Sequence, residues 1–418
     1  MTKELKYSGE FIRSLAEQYP TPFYLYDEKT LRANARLFNE AFSWCEGYKE
    51  YFAVKANPNP ELLKILRSEG LGFDCSSLAE LNICERLGIS GDDIMFTSND
   101  TPAAEYVKAK ELNAIINLDD ITDLQVLEDC AGLPDVICFR WNPGWSRDVV
   151  SVIGNPAEAK YGLTTNQIFT AIEAARNKGV KKFGIHTMIA SNLLDEQFFL
   201  TTAQSLFEMA VSIKERVGVD INFINMGGGF GVAYKPEQVP LDLIRLGKMI
   251  EAGYKACNAA GSVLCCNLFT EAGRLVAADA GVLVSRVIHR KDTYRTYIGV
   301  DASMANLMRP GMYGAYHHIN VVSKSADKKN YGKQKVDVVG SLCENCDKFA
   351  VNRFLPVIDV GDLIVIQDAG AHGYAMGFQY NGKLRCAELL LEESGKIRMI
   401  RRAETFDDYI VTFDINEW

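Results

Sequence analysis

Hydrophobic and polar positions along the chain fall into two rhythms. From about residue 29 to 275, short apolar or β-branched runs alternate with stretches whose apolar residues recur at three- and four-residue spacing. The first pattern predicts buried strands and the second amphipathic helices, so their alternation predicts parallel strands joined by crossover helices. Strand-like runs cover Glu50 to Lys55, Gly72 to Cys75, Asp93 to Thr97, Ala114 to Leu118 and Asp135 to Arg140, and three more end near Met188, Met226 and Glu271. Helical patterns lie between them, such as Pro60 to Arg67, Thr101 to Leu112, Thr165 to Lys178 and Glu196 to Val217, most of them followed by Gly or Asn. Eight β/α units over about 250 residues predict an α/β fold of the TIM (β/α)8 barrel type. A doubly wound sheet is the main competitor, and it does not require so regular a count of eight.

After about residue 276 the rhythm changes. Strand-like segments at Thr293 to Val300, Val336 to Val339, Asp362 to Gln367 and Ile397 to Arg401 are separated by Gly, Asn and charged turns, with no long helical pattern between them. This predicts a mostly antiparallel β-domain, to which Pro22 to Asp27 offers an N-terminal strand. The expected organisation is a barrel over 28–275 and a β-domain over 1–27 and 276–418, without repeats or low-complexity tracts.

Composition narrows the function classes. A chain of 418 residues, 48% hydrophobic and 24% charged, has ordinary globular composition. The net charge of −9 and the lack of a Lys/Arg-rich run argue against nucleic acid or an anionic membrane as partner. Met1 to Lys6 lead into polar residues without an apolar signal region, and no apolar run is long enough to span a bilayer, so a cytoplasmic address is expected. Eleven cysteines, an odd number in a long chain, suit free thiols in a reducing compartment better than a disulfide framework. Cys343-Glu-Asn-Cys346 is the only CxxC, and no second ligand pair follows, so no metal site is expected there.

In a TIM barrel the reactive groups sit at the C-terminal ends of the strands. The first predicted strand ends on Lys55. A strand-end lysine by itself reads as a solvated charge, but at a barrel mouth desolvation would lower its pKa and make it a Schiff-base nucleophile. The seventh strand runs into Gly227-Gly228-Gly229, where backbone N–H groups can close on a phosphate without Cβ interference. The dinucleotide pattern would need glycine at Val232, and a Walker motif would need Gly-Lys-Ser/Thr, so neither applies. The eighth strand ends in Glu271-Ala-Gly273-Arg274, where a carboxylate can pair with a protonated pyridine nitrogen and Gly273 and Arg274 can touch phosphate. An ion pair between Glu271 and Arg274 is the structural alternative. A lysine, a glycine cluster and a glutamate around one mouth are the three attachments that pyridoxal 5'-phosphate (PLP) needs.

Over nearly its whole length the chain resembles the fold-type III PLP enzymes, and most of all the diaminopimelate decarboxylase family. Phe52-Ala-Val-Lys55-Ala-Asn57, Phe73-Asp74, Arg140-Trp-Asn142-Pro-Gly144, Met226-Gly-Gly-Gly229 and Glu271-Ala-Gly-Arg274 match that family's motifs in order. The resemblance implies an alanine racemase/ornithine decarboxylase-like barrel plus β-domain, with PLP on Lys55. It implies cofactor contacts from Asp74, Ser191, Gly228, Gly229, Glu271, Gly273, Arg274 and His372. Arg309 and Tyr313, helped by Arg274, would hold the substrate's distal carboxylate, as a guanidinium fork suits a carboxylate. Gly340 to Asp347 resembles the family segment that reaches into a partner's active site in a homodimer. Cys343 would then reprotonate Cα and Glu344 bind the distal ammonium; a buried, inert thiol is the other reading of Cys343.

Two positions depart from the family pattern. Where a second histidine stacks on the cofactor ring, this chain has Met188, two residues after His186, and a thioether packs on a ring but moves no proton. Where a tyrosine contacts phosphate or substrate, it has His372, with Tyr374 two residues on as the other candidate. The implied activity is decarboxylation of meso-2,6-diaminopimelate to L-lysine and CO2, by a lyase of lysine biosynthesis. The rivals are a related decarboxylase acting on ornithine, lysine or carboxynorspermidine, an amino-acid racemase, and a non-catalytic PLP carrier. Retention of Arg309 and Glu344 argues against the first, Glu271 against the second and the β-domain against the third.

Overall fold

The computed structural model describes residues 3–144, 158–259, 266–324 and 332–414. The chain forms two compact units, one of Arg32–Val232 with Val239–Val276, the other of Met1–Leu31, Ala233–Gln238 and Ala277–Trp418.

Strand β1 (Phe23–Asp27) belongs to the second unit. In the first, β2 (Lys49–Ala53), β3 (Gly72–Cys75), β4 (Ile94–Thr97), β5 (Ile115–Leu118), β6 (Val136–Arg140), β7 (Lys182–His186), β8 (Ile221–Asn225) and β9 (Asn267–Thr270) close into a parallel barrel in chain order. Strand periodicity turns Tyr51, Met95, Ile115, Cys138, Phe223 and Phe269 inward, and together they fill the barrel's interior. The crossover helices begin where the sequence supplies caps. Asn59 caps Pro60–Ser68, Ser77 caps Leu78–Arg86, Thr164 and Gln167 form a capping box on Thr165–Asn177, and Asp195 caps Glu196–Val217. Such caps contribute about 1 kcal/mol each.

One boundary matters for chemistry. The first barrel strand was expected to run to Lys55, but it stops at Ala53, and Val54–Ala56 forms a single 3-10 turn. Asn57-Pro58 follows, and the missing proline N–H stops further sheet pairing. Lys55 therefore stands on the barrel rim, half exposed, rather than within the strand.

The second unit is a nine-stranded, mostly antiparallel sheet. Its further strands are β10 (Gly281–Asp292), β11 (Thr296–Val300), β12 (Ile319–Val322), β13 (Lys333–Val339), β14 (Lys348–Pro356), β15 (Leu363–Ile366), β16 (Ala387–Leu391) and β17 (Ile397–Arg401). β1 runs antiparallel to β10 and parallel to β16, which makes it an interior strand. Helix Gly9–Gln18, capped by Ser8, places Ile12 and Leu15 in one apolar cluster with Phe23, Leu25 and Val284. That helix and strands β10, β12, β14 and β16 are additions to the sequence reading. β10 begins as an unbroken apolar run, and β16 is buried on both faces from Ala387 to Leu390 with Glu388 among them, so neither shows the alternation that marks a half-buried strand.

Candidate active site

At the barrel mouth Lys55 Nζ donates to Asp74 Oδ2 at 2.8 Å and lies 3.4 Å from Ser76 Oγ. Burial alone would pull the lysine's pKa down. The carboxylates of Asp74, Glu271 and Glu80 outweigh burial, and the net shift is upward. The expectation that desolvation lowers this pKa is therefore corrected: the amine is held as ammonium by its acidic neighbours. Asp74 is fully buried, and burial with the nearby Glu271 pushes its carboxyl up to about 6 in spite of Lys55.

Glu271, immediately beyond β9, is also buried. It accepts from Asn225 Nδ2 at 2.7 Å and is 3.1 Å from His186 Nε2. Burial works against its ionisation, but His186, Lys55 and Asn225 together hold its pKa below the usual glutamate value. Its side-chain interactions thus run to His186 and Asn225 and not to Arg274, the structural alternative. Arg274 opens the short helix that follows, and a side chain on Gly273 would lie 2.6 Å from the Ala56 methyl group.

The glycine run is required by its surroundings. Gly227 and Gly229 have φ of +65° and +92°, a region costly for residues with a Cβ. A Cβ on Gly228 would lie 2.3 Å from the Glu271 carbonyl oxygen. The next loop is tied to this one, with Leu193 N–H donating to Gly229 O at 2.9 Å and Gly231 N–H to Leu193 O at 2.8 Å. Ser191 lies in that tied loop. The Gly228 N–H, a phosphate donor in the sequence reading, points to the Met188 sulfur at 3.2 Å.

Two groups, Tyr161 and Glu50, were not singled out from the sequence, and Arg140 stood there as a motif residue without a role. Arg140 Nη1 donates to Asn99 at 2.9 Å and Asp119 at 3.2 Å, and its guanidinium stacks 3.9 Å from the Tyr161 ring centre. Arg140, Tyr161, Met188 and Ile189 line a cleft beside the glycine loop. Glu50 accepts from the Ala272 N–H at 2.6 Å and from the Thr270 hydroxyl, which fixes the loop carrying Glu271. The available signal was parity: Tyr51 faces inward, so Glu50 is an acidic residue on the outward, helix-covered side of a strand.

The remaining predicted residues belong to the sheet unit. Arg309 and Tyr313 bound one short helix; Arg309 is buried and Tyr313 is 48% exposed. Arg309 Nη1 is 2.8 Å from His317 Nε2, and the guanidinium lies 4.8 Å from the Tyr234 ring centre. Since His317 Nδ1 faces the Gln367 carbonyl at 2.8 Å, His317 is the neutral Nδ1–H tautomer that accepts from Arg309. Cys343 and Glu344 are exposed, which removes the reading of Cys343 as a buried thiol. Their loop is pinned by the buried Asp347 carboxylate, which accepts from Leu342 N–H at 2.8 Å and Met304 N–H at 2.6 Å. His372 is partly buried with φ of +54°. Tyr374 is buried between the guanidinium groups of Arg385 and Arg401, at 4.0 and 4.8 Å, with Tyr24 edge-on to its ring.

A barrel whose mouth joins a lysine, two buried carboxylates and a glycine loop has the architecture of a PLP enzyme of fold type III. The chain belongs to the pyridoxal-dependent decarboxylases, whose pyridoxal-binding domain model matches residues 28–278. It is 42% identical over 395 residues to protein TabA of Pseudomonas amygdali pv. tabaci, covering 94% of this chain and 91% of that one. It is 35% identical over 402 residues to diaminopimelate decarboxylase of Methanothermobacter thermautotrophicus, covering 95% and 92%. Diaminopimelate decarboxylase from Helicobacter pylori, solved in complex with L-lysine, superposes with a TM-score of 0.87 at 29% identity, covering 96% of this chain and 98% of that one.

PLP is the cofactor of this family, and the residues at the mouth fit it. The Lys55 side chain is half exposed, the buried Glu271 is stabilised as a carboxylate, and the glycine loop leaves no room for Cβ atoms.

Proposed function

We propose that this protein decarboxylates meso-2,6-diaminopimelate to L-lysine and CO2 as a cytoplasmic homodimer. The observation that carries the reaction class is the pairing of Lys55 with Asp74 beside a Glu271 carboxylate held by His186 and Asn225. The substrate rests on relatives named diaminopimelate decarboxylase that align along nearly the whole chain.

When bound, PLP supplies the electron sink for the pair released at Cα as the carboxylate leaves. Lys55 would hold the cofactor through its amine, and Glu271 would keep a proton on the ring nitrogen. The glycine loop, Ser191, Gly273 and Arg274 are the proposed phosphate contacts. His372 is preferred over Tyr374 as the further contact, because Tyr374 is committed to its two arginines. Lys55 Nζ or Cys343 Sγ then delivers a proton to Cα. Arg309, aligned by His317, and Tyr313 are assigned to the distal carboxylate, and Glu344 to the distal ammonium. The exposure of Cys343 and Glu344 suits a loop that serves a second copy of the chain.

A second reading keeps the chemistry and changes the amino acid. The identity to TabA, 42% against 35% for the Methanothermobacter enzyme, and Met188 in place of histidine favour it. The test offers meso-diaminopimelate, ornithine and lysine in both configurations to the PLP-loaded protein and measures CO2 and the amine formed. Lysine from diaminopimelate alone supports the first reading. CO2 from another amino acid, with none from diaminopimelate, replaces it with the second.

A further inference from the structure

Alternate strands of an eight-stranded barrel contribute one interior layer of four side chains, normally bulky and apolar. One layer here is entirely polar. Asp74 on β3 is beside Met95, which is beside Ile115, two residues before Asn117 on β5. Asn117 is beside Cys138, which is beside Gly184, two residues before His186 on β7. His186 is beside Asn225, which is beside Phe269, two residues before Glu271. The steady two-residue advance is the strand tilt of a barrel, so these four stand at one level in the cyclic order Asp74, Asn117, His186, Glu271. Their exposures are 0%, 2%, 0% and 6%.

Five of the eight side-chain nitrogen and oxygen atoms in this ring have partners, Glu271 Oε1 accepting from Asn225 Nδ2. Asp74 Oδ2 takes Lys55, Asn117 Nδ2 donates to Thr97 Oγ1 at 3.1 Å, and His186 Nε2 meets Glu271 Oε2. Asp74 Oδ1, Asn117 Oδ1 and His186 Nδ1 are buried without a hydrogen-bond partner among the described residues. They come from three successive members of the ring. Buried polar atoms are rarely left so, and a site with three polar partners is what an internal water occupies.

The donor count then decides a protonation state. A water has two hydrogens, and both carbonyl-type oxygens need one, so His186 Nδ1 must donate to the water rather than accept from it. Glu271 Oε2 only accepts, so His186 Nε2 carries a hydrogen as well. We propose that this layer holds one internal water, donating to Asp74 Oδ1 and Asn117 Oδ1 and accepting from His186 Nδ1, which keeps His186 an imidazolium against Glu271. The four ionic members then balance, Lys55 and His186 positive against Asp74 and Glu271. Asn117 and His186 become positioning residues that act through Glu271, and the water, by way of His186, connects the partner of Lys55 to the partner of the ring nitrogen. The proposal holds whichever amino acid is the substrate.

High-resolution X-ray and neutron structures of the PLP-loaded protein test it directly. The expected result is a solvent oxygen within hydrogen-bond distance of all three atoms, with both His186 nitrogens bearing hydrogen. Asn117→Leu should lose the solvent oxygen and one of the two imidazole hydrogens, whereas Asn117→Asp, which keeps the acceptor, should retain both. The wild-type measurement needs no variant to fold. No solvent oxygen there, or a His186 with a single ring hydrogen, overturns the proposal.

Discussion

Two levels of the barrel interior are built of opposite materials. In the lower one Tyr51, Met95 and Cys138 pack with Ile115, Phe223 and Phe269. In the upper one Asp74, Asn117, His186 and Glu271 carry charge or hydrogen-bonding atoms while equally buried. The apolar plug excludes water and gives the barrel its rigidity. Placed on that plug, the polar layer experiences strong electrostatic coupling, so that burial raises the pKa of Asp74 while neighbouring charges hold that of Glu271 down. One strand register thus separates the apolar residues that hold the barrel together from the polar residues to which the chemistry is assigned.

The largest effect belongs to the rim above both levels. Lys55→Ala should lower CO2 release by roughly a thousandfold or more and abolish the absorbance of lysine-bound PLP, while urea-unfolding stability stays near wild type. A variant that keeps substantial turnover without added amine removes Lys55 from the mechanism.

Met95→Ala should do the reverse. Met95 is fully buried in the apolar level, and removing such a side chain costs about 2–5 kcal/mol through lost transfer energy and the cavity left behind. Urea denaturation measures that loss, and PLP binding per folded molecule should be unchanged. If cofactor affinity falls in proportion to stability, the two levels are not separable.

Gly228→Ala lies between the extremes. Its Cβ would meet the Glu271 carbonyl at 2.3 Å, a backbone atom that cannot swing aside. Overpacking of this kind costs about 1–3 kcal/mol, and the displaced Glu271 should weaken PLP binding as well, measured by fluorescence titration. Loss of stability without loss of affinity would make the glycine run a folding device only.

The difference between the levels also explains what could be read beforehand. Eight apolar runs with helical stretches between them exposed the barrel, because inward residues of a buried parallel sheet are recorded directly as hydrophobicity. Lys55, Gly228 and Glu271 were legible because each is a polar or permissive residue at the end of such a run. Asn117 and His186 were given no role: a polar residue inside a strand carries no mark of the layer it joins, and that layer appears only when four strands are set in register. Glu50 was missed for a related reason, since its partners Thr270 and Ala272 are 220 and 222 residues away. The upward pKa shift of Lys55 likewise depends on Asp74, Glu271 and Glu80 arriving from other strands and helices.

The smallest effect is a slope, and its sign distinguishes the buried mouth from an ordinary ion-paired surface. Burial is the largest cause of the raised pKa values of Asp74 and Asp119, both pushed up to about 6, and of Glu80, pushed up to about 7. In the unfolded chain such carboxyls titrate near 4. Between about pH 4 and 6 the unfolded chain has therefore released protons that the folded chain still holds, so folding takes protons up and stability falls as pH rises through that window. A surface carboxylate such as Glu69, whose pKa is lowered by Arg36 and Arg32, acts in the opposite sense and loses its contribution on acidification. Asp74→Asn removes one of the raised groups, and its cofactor-free stability, followed by urea unfolding between about pH 4 and 7, should fall less steeply with pH than that of the wild type. A steeper fall would mean that the Lys55 ammonium, and not burial, dominates the Asp74 carboxyl, and the electrostatic contrast between the two barrel levels would then vanish.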